Sequence, residues 1–125
     1  MKEIVLTDRG PKPIGPYSQA IKANGLLFVS GQVAIDPKTN EFAGGDIRQQ
    51  TERVLENVKG IVEAAGSKLS HAIKTTVFLR NIGDFSAMNE VYARYFASAP
   101  PARSTVEVAR LPKDALVEIE VIATI

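Results

Sequence analysis

Hydrophobic residues recur along the chain with two different periods, and the helical period is clearest between residues 46 and 66. There they stand three and four positions apart, which places them on one side of a helix. The stripe comprises Ile47, Val54, Leu55, Val58, Ile61, Val62 and Ala65. Asp46 and Gln49 can form a capping box, and Gly66 can end the helix. The pattern therefore predicts an amphipathic helix between these signals.

A second helical stripe follows a turn at 81–83 and begins near Asp84. It comprises Phe85, Met88, Tyr92, Tyr95 and Phe96. The helix must end before Pro100, because the residue preceding a proline avoids helical geometry. Asn89 lies on the same stripe, so its amide needs hydrogen-bond partners if it is buried.

The remaining segments alternate with a period of two or are rich in β-branched residues, which is typical of strands. They are residues 3–6, 18–22, 26–34, 72–79, 103–109 and 116–124. Asn24-Gly25 predicts a hairpin turn, since both residue types tolerate positive φ, and a further turn is expected at 37–40. In the fifth strand, Val106 and Val108 are expected to be buried, with Arg103 on the polar face.

The order β-β-β-α-β-α-β-β predicts one α+β domain over residues 1–125, with the two helices on one face of a sheet. In the last strand, Val117, Ile119, Val121 and Ala123 oppose Glu118, Glu120 and Thr124. The second sheet face then mixes polar residues with Leu116 and Ile122. That mixture is too apolar for solvent and too polar for a simple core, so we expect this face to pack against another subunit.

The composition excludes several classes of protein. The chain has 125 residues, no cysteine and a net charge of +1, with charges of both signs interspersed. The lack of cysteine excludes disulfides and thiolate chemistry. The charge shows no excess of basic residues that would indicate nucleic-acid binding. No signal peptide or stretch of about 18 apolar residues is present, so we expect no membrane contact and a soluble, unprocessed, cytoplasmic protein.

Metal and cofactor signals are weak. His71 is the only histidine, and we expect it to be an exposed residue at a strand start. Gly44-Gly45 precedes the first helix but matches neither phosphate-binding glycine motif. We therefore expect no metal and no cofactor.

Arg103 is the first candidate for chemistry. It follows Pro101-Ala102 at the start of a strand, where its planar guanidinium fork suits a carboxylate. The alternative is a structural ion pair with Glu107, Glu118 or Glu120. Spacing alone leaves both open and favours the ion pair.

Carboxyl and hydroxyl groups supply further candidates. Glu118 and Glu120 share a strand face, where a carboxylate can orient or deprotonate water, or simply form an ion pair at a solvated rim. Tyr17 follows Gly15-Pro16, and Ser30 precedes Gly31 inside an apolar strand. Turns or bulges at these points can direct both hydroxyls into a cleft.

Several short blocks, taken together and in order, carry a resemblance to a known family. They are Ile14-Gly15-Pro16-Tyr17-Ser18-Gln19, Ser30-Gly31-Gln32, Asp36-Pro37, Asn57-Val58, Glu63-Ala64-Ala65-Gly66, Lys74-Thr75-Thr76-Val77-Phe78, Pro101-Ala102-Arg103-Ser104, Val106-Glu107-Val108-Ala109-Arg110-Leu111-Pro112 and Glu118-Ile119-Glu120. The set spans nearly the whole chain and resembles the RidA (YjgF) family.

This resemblance implies a chorismate-mutase-like fold, with two helices on a mixed six-stranded sheet, and a homotrimer with a central β-barrel and clefts between subunits. It implies hydrolytic deamination of 2-iminobutanoate and 2-iminopropanoate to 2-keto acids and ammonia, without a cofactor. Arg103 corresponds to the carboxylate-binding arginine, Glu118 to the water-positioning catalytic glutamate, and Tyr17 to a second catalytic position. The remaining substrate-binding positions are Ser30, Gly31, Asn89 and Thr105.

Thr105 departs from the family pattern, because many relatives carry cysteine there, and it excludes thiol chemistry. A second hypothesis is a non-catalytic module that binds small carboxylates or protects proteins through the same clefts. The presence of both Arg103 and Glu118 favours catalysis, since a carboxylate binder has little need of a negative charge beside its anchor. A ribonuclease is disfavoured by the near-zero charge, the single histidine and the lack of tryptophan.

Overall fold

The structure is a computed structural model that describes residues 1–125. Its strands are β1 (Glu3–Val5), β2 (Ala20–Ala23), β3 (Leu26–Gln32), β4 (Ile35–Asp36), β5 (Glu41–Phe42), β6 (Ala72–Leu79), β7 (Ala102–Glu107) and β8 (Val117–Thr124). Its helices are α1 (Ile47–Ala64) and α2 (Phe85–Tyr95), with short 3₁₀ turns at Leu69–His71, Ile82–Asp84 and Pro112–Asp114.

Six strands form one mixed sheet in the order β1-β2-β3-β8-β6-β7. All neighbours are antiparallel except β6 and β7, which run parallel. The predicted α+β architecture is therefore confirmed. At the predicted hairpin between β2 and β3, Asn24 and Gly25 have φ of 51° and 74°, the positive values that a tight hairpin turn requires.

The third strand ends earlier than its sequence predicts. It stops at Gln32 because its register against β8 shifts between Val29 and Gln32, which is the geometry of a β-bulge. The prediction that it continues to residue 34 is wrong. Beyond the bulge the chain forms a separate hairpin of β4 and β5 around the turn expected at 37–40.

Helix α1 is capped as its sequence predicts. The Gln49 backbone N–H donates to the Asp46 carboxylate at 2.9 Å, and the Asp46 N–H donates to the Gln49 side-chain oxygen at 2.9 Å. Gly66 follows the helix with φ of 89°, a conformation that favours glycine. Helix α1 packs on β3 and β8, and α2 lies beside α1, where its Tyr92 bonds Thr75 of β6. No helix combines the length and apolar character that crossing a membrane requires.

The two helices cover one side of the sheet, which we call the helix face. Most of its strand residues are buried, and in β8 they are Val117, Ile119, Val121 and Ala123, as predicted. The opposite side, the open face, carries Ile4, Ile21, Phe28, Phe78, Val106 and Ile122 together with Thr76, Ser104, Glu118 and Glu120. The open face therefore has the mixed character that the sequence predicts.

Strand β7 corrects one prediction. Val106 is 44% exposed, and Val108 is half-buried beyond the end of the strand, so the expectation that both are buried is wrong. Alternation identifies residues that share a face but does not say which face meets the helices. In this edge strand it is Arg103 and Thr105 that lie on the helix face, and Val106 lies on the open face.

Candidate functional site

Arg103 lies against helix α2. The parallel register of β6 and β7 pairs it with Thr75, whose side chain also lies on the helix face. The guanidinium carbon of Arg103 is 4.7 Å from the ring centroid of Tyr92 and 5.6 Å from that of Phe85. Both distances are within the range of cation–π attraction.

The guanidinium has no acidic partner in the chain. Arg103 takes part in none of the ion pairs, and Glu107 accepts a hydrogen bond from the Ile82 backbone instead. The structural ion pair that spacing alone favours is therefore absent. The donor edge of the guanidinium remains available for another anion.

Two polar groups without partners lie on the same faces of β7 and α2 as Arg103 and its aromatic rings. Phe85 and Tyr92 stand seven residues apart on α2, about 10 Å along its axis, so a guanidinium in contact with both rings lies between them. Asn89 shares that helix face, is half-buried and makes no side-chain hydrogen bond. The hydroxyl oxygen of Thr105 is buried and also has no partner. We call these five residues the arginine site.

Tyr92 supports the guanidinium of Arg103 on the side that faces the core. Its hydroxyl hydrogen-bonds the Thr75 hydroxyl at 2.7 Å, and both residues are buried. Burial raises the pKa of Tyr92, although its hydrogen bond to Thr75 and both the charge and a hydrogen-bond contact of Arg103 oppose that shift. Tyr92 is therefore a neutral phenol whose ring presents its face to the cation.

Glu118 lies on the open face, where β8 pairs it with Phe78 of β6. The carboxylate is half-buried and has neither an ion-pair nor a hydrogen-bond partner in the chain. Burial raises the pKa of Glu118, and the negative charge of Glu120 raises it further. A carboxyl group in this state can exchange a proton closer to neutral pH than an exposed glutamate.

Gly31 makes room for this carboxylate. A Cβ atom at position 31 would lie 2.1 Å from the Glu118 Oε2 atom, closer than any real contact. Glu118 and Gly31 line a cavity of about 80 Å³ with Tyr17, Ile14 and Lys113. We call these five residues the glutamate cleft. Lys113 has φ of 60°, so the turn that carries it is held in a left-handed conformation.

The two predicted hydroxyl groups differ in their surroundings. The Tyr17 hydroxyl accepts a hydrogen bond from the Ile14 N–H at 3.3 Å, and its ring is half-exposed at the cleft. The Ser30 hydroxyl donates to the Ser18 carbonyl at 2.6 Å, which ties the bulge of β3 to the preceding loop. Ser30 lies in a shallow depression beside Glu120 on the open face and does not line the glutamate cleft.

One chain does not bring all the predicted residues together. Arg103 is in register with Thr75 of β6, whereas Glu118 is in register with Phe78. The two positions are about 10 Å apart along the strand direction, with β6 lying between their strands, and an offset of three residues places side chains on opposite faces. The arginine site and the glutamate cleft are thus on opposite sides of the same sheet.

Sequence patterns do not identify the aromatic support of Arg103. They place Phe85 and Tyr92 on the hydrophobic stripe of a helix, and Thr75 in the interior of a strand. The signal available in the sequence is the position of Asn89 between two aromatic residues on one helix face. Such a polar residue on an apolar helix face indicates that the face has a function in addition to core packing.

Other parts of the surface are unlike these two sites. The largest depression, about 340 Å³, lies between the Gly44-Gly45 loop and the charged side of α1, away from both. No group of three or more histidine, cysteine, aspartate or glutamate residues is arranged to hold a metal ion. His71 is exposed in the 3₁₀ turn that leads into β6.

The fold and the site define a class: an α+β domain with one helix-covered and one open sheet face, carrying an unpaired arginine and an unpaired glutamate on opposite sides. The chain belongs to the RidA (YjgF) family, because a family model described as Endoribonuclease L-PSP matches residues 7–125. The family and the fold implied by the sequence blocks are therefore confirmed.

Relatives and solved structures agree with this assignment. A RutC family protein of Pyrococcus horikoshii is 61% identical, covering 98% of both chains. A protein of Dermatophagoides farinae named 2-iminobutanoate/2-iminopropanoate deaminase is 47% identical, covering 99% of this chain and 97% of that one. The structure of Escherichia coli TdcF with bound serine superposes with a TM-score of 0.93 at 44% identity, covering 98% of both chains. The family thus includes proteins named as deaminases of reactive imines.

Proposed function

We propose that the chain hydrolyses 2-imino acids, such as 2-iminobutanoate and 2-iminopropanoate, to 2-keto acids and ammonia. The observation that carries the proposal is the guanidinium of Arg103, which is held against two aromatic rings but has no anionic partner. A cation kept free of ion pairs beside two unpartnered polar side chains is suited to a small carboxylate ligand.

In the binding step, Arg103 receives the substrate carboxylate through two parallel hydrogen bonds. The Asn89 amide and the Thr105 hydroxyl, which have no partners in the chain, supply further donors or acceptors beside it. Bidentate binding fixes the plane of the carboxylate and hence the position of the adjacent imine carbon. Serine, the ligand bound in the TdcF structure, also carries a carboxylate next to a nitrogen-bearing carbon.

In the chemical step, Glu118 orients a water molecule and takes a proton from it as the oxygen attacks the imine carbon. The C–O bond forms while the C=N π electrons move to nitrogen, giving a carbinolamine. Starting from the protonated imine, Glu118 returns its proton to that nitrogen, the C–N bond breaks and ammonia leaves, and the hydroxyl proton passes back to the Glu118 carboxylate as the C=O bond of the keto acid forms. The raised pKa of Glu118 suits a group that both accepts and returns a proton. Tyr17, at the mouth of the same cleft, is placed to hydrogen-bond the water or the imine nitrogen.

The site requires more than one copy of the chain. Arg103 and Glu118 occupy opposite faces of one sheet, so a single substrate can meet both only where two copies adjoin. The open face also leaves Phe28 and Val106 exposed by 41% and 44%, as expected of a surface that another subunit covers. We therefore include in the proposal a homotrimer whose clefts combine the arginine site of one copy with the glutamate cleft of its neighbour.

The experiment is ammonia release from 2-iminobutanoate generated in situ by a threonine dehydratase. We expect the wild-type chain to accelerate release over buffer and Arg103→Ala to lose the acceleration while keeping its oligomeric mass. Acceleration that is absent in the wild-type protein would refute the enzyme proposal. Binding of 2-ketobutanoate without any acceleration would instead favour a non-catalytic carboxylate-binding module.

A further inference from the structure

We propose that Tyr92, held by Thr75, is a positioning residue that fixes the guanidinium of Arg103 in its ligand-binding orientation. The inference rests on the proposed function, because it concerns the arginine that would bind the substrate. It assigns a role to two buried residues that touch neither the substrate nor the reacting atoms.

Arg103 has no ion-pair partner within the chain. Its orientation depends on the two aromatic rings and on the polar contact of its guanidinium with the Tyr92 hydroxyl. Phe85 is 39% exposed, whereas Tyr92 is only 6% exposed and lies closer to the guanidinium. Tyr92 is therefore the more rigid of the two supports.

Tyr92 is itself fixed from two directions. Its hydroxyl bonds the hydroxyl of Thr75 at 2.7 Å, and its ring packs on Phe96 with centroids 4.6 Å apart. Thr75 is fully buried in β6 and is the residue in register with Arg103 on β7. The three residues form a closed circuit of contacts. Strand pairing joins Arg103 to Thr75, a hydrogen bond joins Thr75 to Tyr92, and the ring of Tyr92 contacts the guanidinium of Arg103.

This circuit has a defined consequence for binding. A long flexible arginine loses rotational freedom when it binds a ligand, and that loss weakens binding unless the side chain is already ordered. Removing the hydrogen bond between Thr75 and Tyr92 frees the ring and hence the guanidinium. Glu118 lies on the other sheet face and keeps its surroundings. We therefore expect KM to rise and kcat to change little.

The test uses Thr75→Val and Tyr92→Phe, which remove the same hydrogen bond from its two ends. The chain offers a matched control for each. Thr51 is also fully buried and its hydroxyl donates to the Ile47 carbonyl at 2.7 Å, so Thr51→Val matches the first variant. The Tyr95 hydroxyl donates to Glu56 at 2.7 Å on the same helix, so Tyr95→Phe matches the second.

We expect Thr75→Val and Tyr92→Phe to raise both KM for 2-iminobutanoate and Kd for 2-ketobutanoate by about threefold to tenfold. The double variant should resemble Tyr92→Phe, because that change already removes the bond that Thr75→Val removes. Thr51→Val and Tyr95→Phe should leave KM within about twofold at a similar loss of thermal stability.

The outcomes separate the two proposals. A wild-type protein that neither releases ammonia nor binds 2-ketobutanoate overturns the proposed function, and this inference with it. An active wild-type protein whose KM is unchanged in Thr75→Val and Tyr92→Phe, or is raised equally in the two controls, overturns this inference alone. Because the two variants remove the bond from opposite ends, either one decides the question if the other does not fold.

Discussion

The arginine site and the glutamate cleft lie on the two faces of one sheet, and their surroundings affect the charged group in opposite ways: one stabilises it and the other destabilises it. Arg103 is a cation supported by the faces of aromatic rings, and those rings stabilise its charge without occupying its hydrogen-bond donors. Glu118 is an anion that burial and Glu120 both disfavour, with no cation within ion-pairing distance. In the function we propose, one site holds the charge of the substrate, the other exchanges a proton, and neither completes the reaction alone.

Loss of either charged group should have the largest effect on ammonia release. Mixing copies of the two variants should restore part of the activity. We expect Arg103→Ala and Glu118→Gln each to lose nearly all acceleration of ammonia release. Hybrid oligomers, formed by refolding the two variants together in equal amounts, should regain about a quarter of the wild-type rate if each site combines neighbouring copies in a ring. The reason is that a site works only where an intact Arg103 adjoins an intact Glu118.

The same mixture also tests the geometry inferred from the sheet. Activity that stays at background would mean that Arg103 and Glu118 act from the same copy, against their placement on opposite faces. Mixing Arg103→Ala with Arg103→Lys provides the control, since no combination of those copies restores an intact arginine. Light scattering before and after mixing checks that the oligomeric mass is unchanged.

The two carboxylates of β8 should differ in their effect on kcat. We expect Glu118→Gln to lower kcat by roughly 100-fold with little change in KM, because it removes a proton acceptor but not the carboxylate anchor. Glu120→Gln is the matched control, since Glu120 lies two residues along the same face but is exposed. Equal losses in both variants, measured by steady-state kinetics at neutral pH, would contradict the assignment of the base to Glu118.

The comparison between the two sites also shows what a sequence can predict. The ends of α1 and the two faces of β8 follow from local spacing, because capping and alternation involve residues only a few positions apart. The family blocks select Arg103 and Glu118 but say nothing of the space between them. Their separation depends on how β7 and β8 pair on either side of β6, which involves contacts between distant parts of the chain.

Two details of the sites show the same limit. The close approach of Gly31 to Glu118 joins a bulge in β3 to a residue far along the chain, and no local pattern encodes it. Alternation in β7 predicts that Val106 is buried, but both faces of this sheet have apolar residues and Val106 lies on the exposed one. Alternation therefore leaves the direction of Arg103 undetermined until the helix positions are known.

Gly31→Ala should have an intermediate effect. The added methyl group would meet the Glu118 carboxylate at 2.1 Å, so the carboxylate must move even though the backbone at Gly31 needs no left-handed conformation. We expect kcat to fall by roughly tenfold with a smaller change in KM, since a shifted base is less well aligned. Gly83→Ala is the control, because its methyl group would meet only the Asn81 side chain, at 3.1 Å. An unchanged kcat in Gly31→Ala would argue against Glu118 as the group that positions water.

The smallest expected effect lies in the pH dependence. The negative charge of Glu120 adds to burial in raising the pKa of Glu118, so Glu120→Gln should lower that pKa. A base works in its ionised form, and kcat is therefore lost as pH falls through the pKa of Glu118. The acidic limb of the kcat profile should move to lower pH in Glu120→Gln, by less than about one unit. Glu3→Gln removes an equal charge from β1, which β2 and β3 separate from β8, and should leave the limb in place. A limb that moves equally in both variants would reflect net charge alone, and a limb that stays fixed in Glu120→Gln would mean that a group other than Glu118 governs proton transfer.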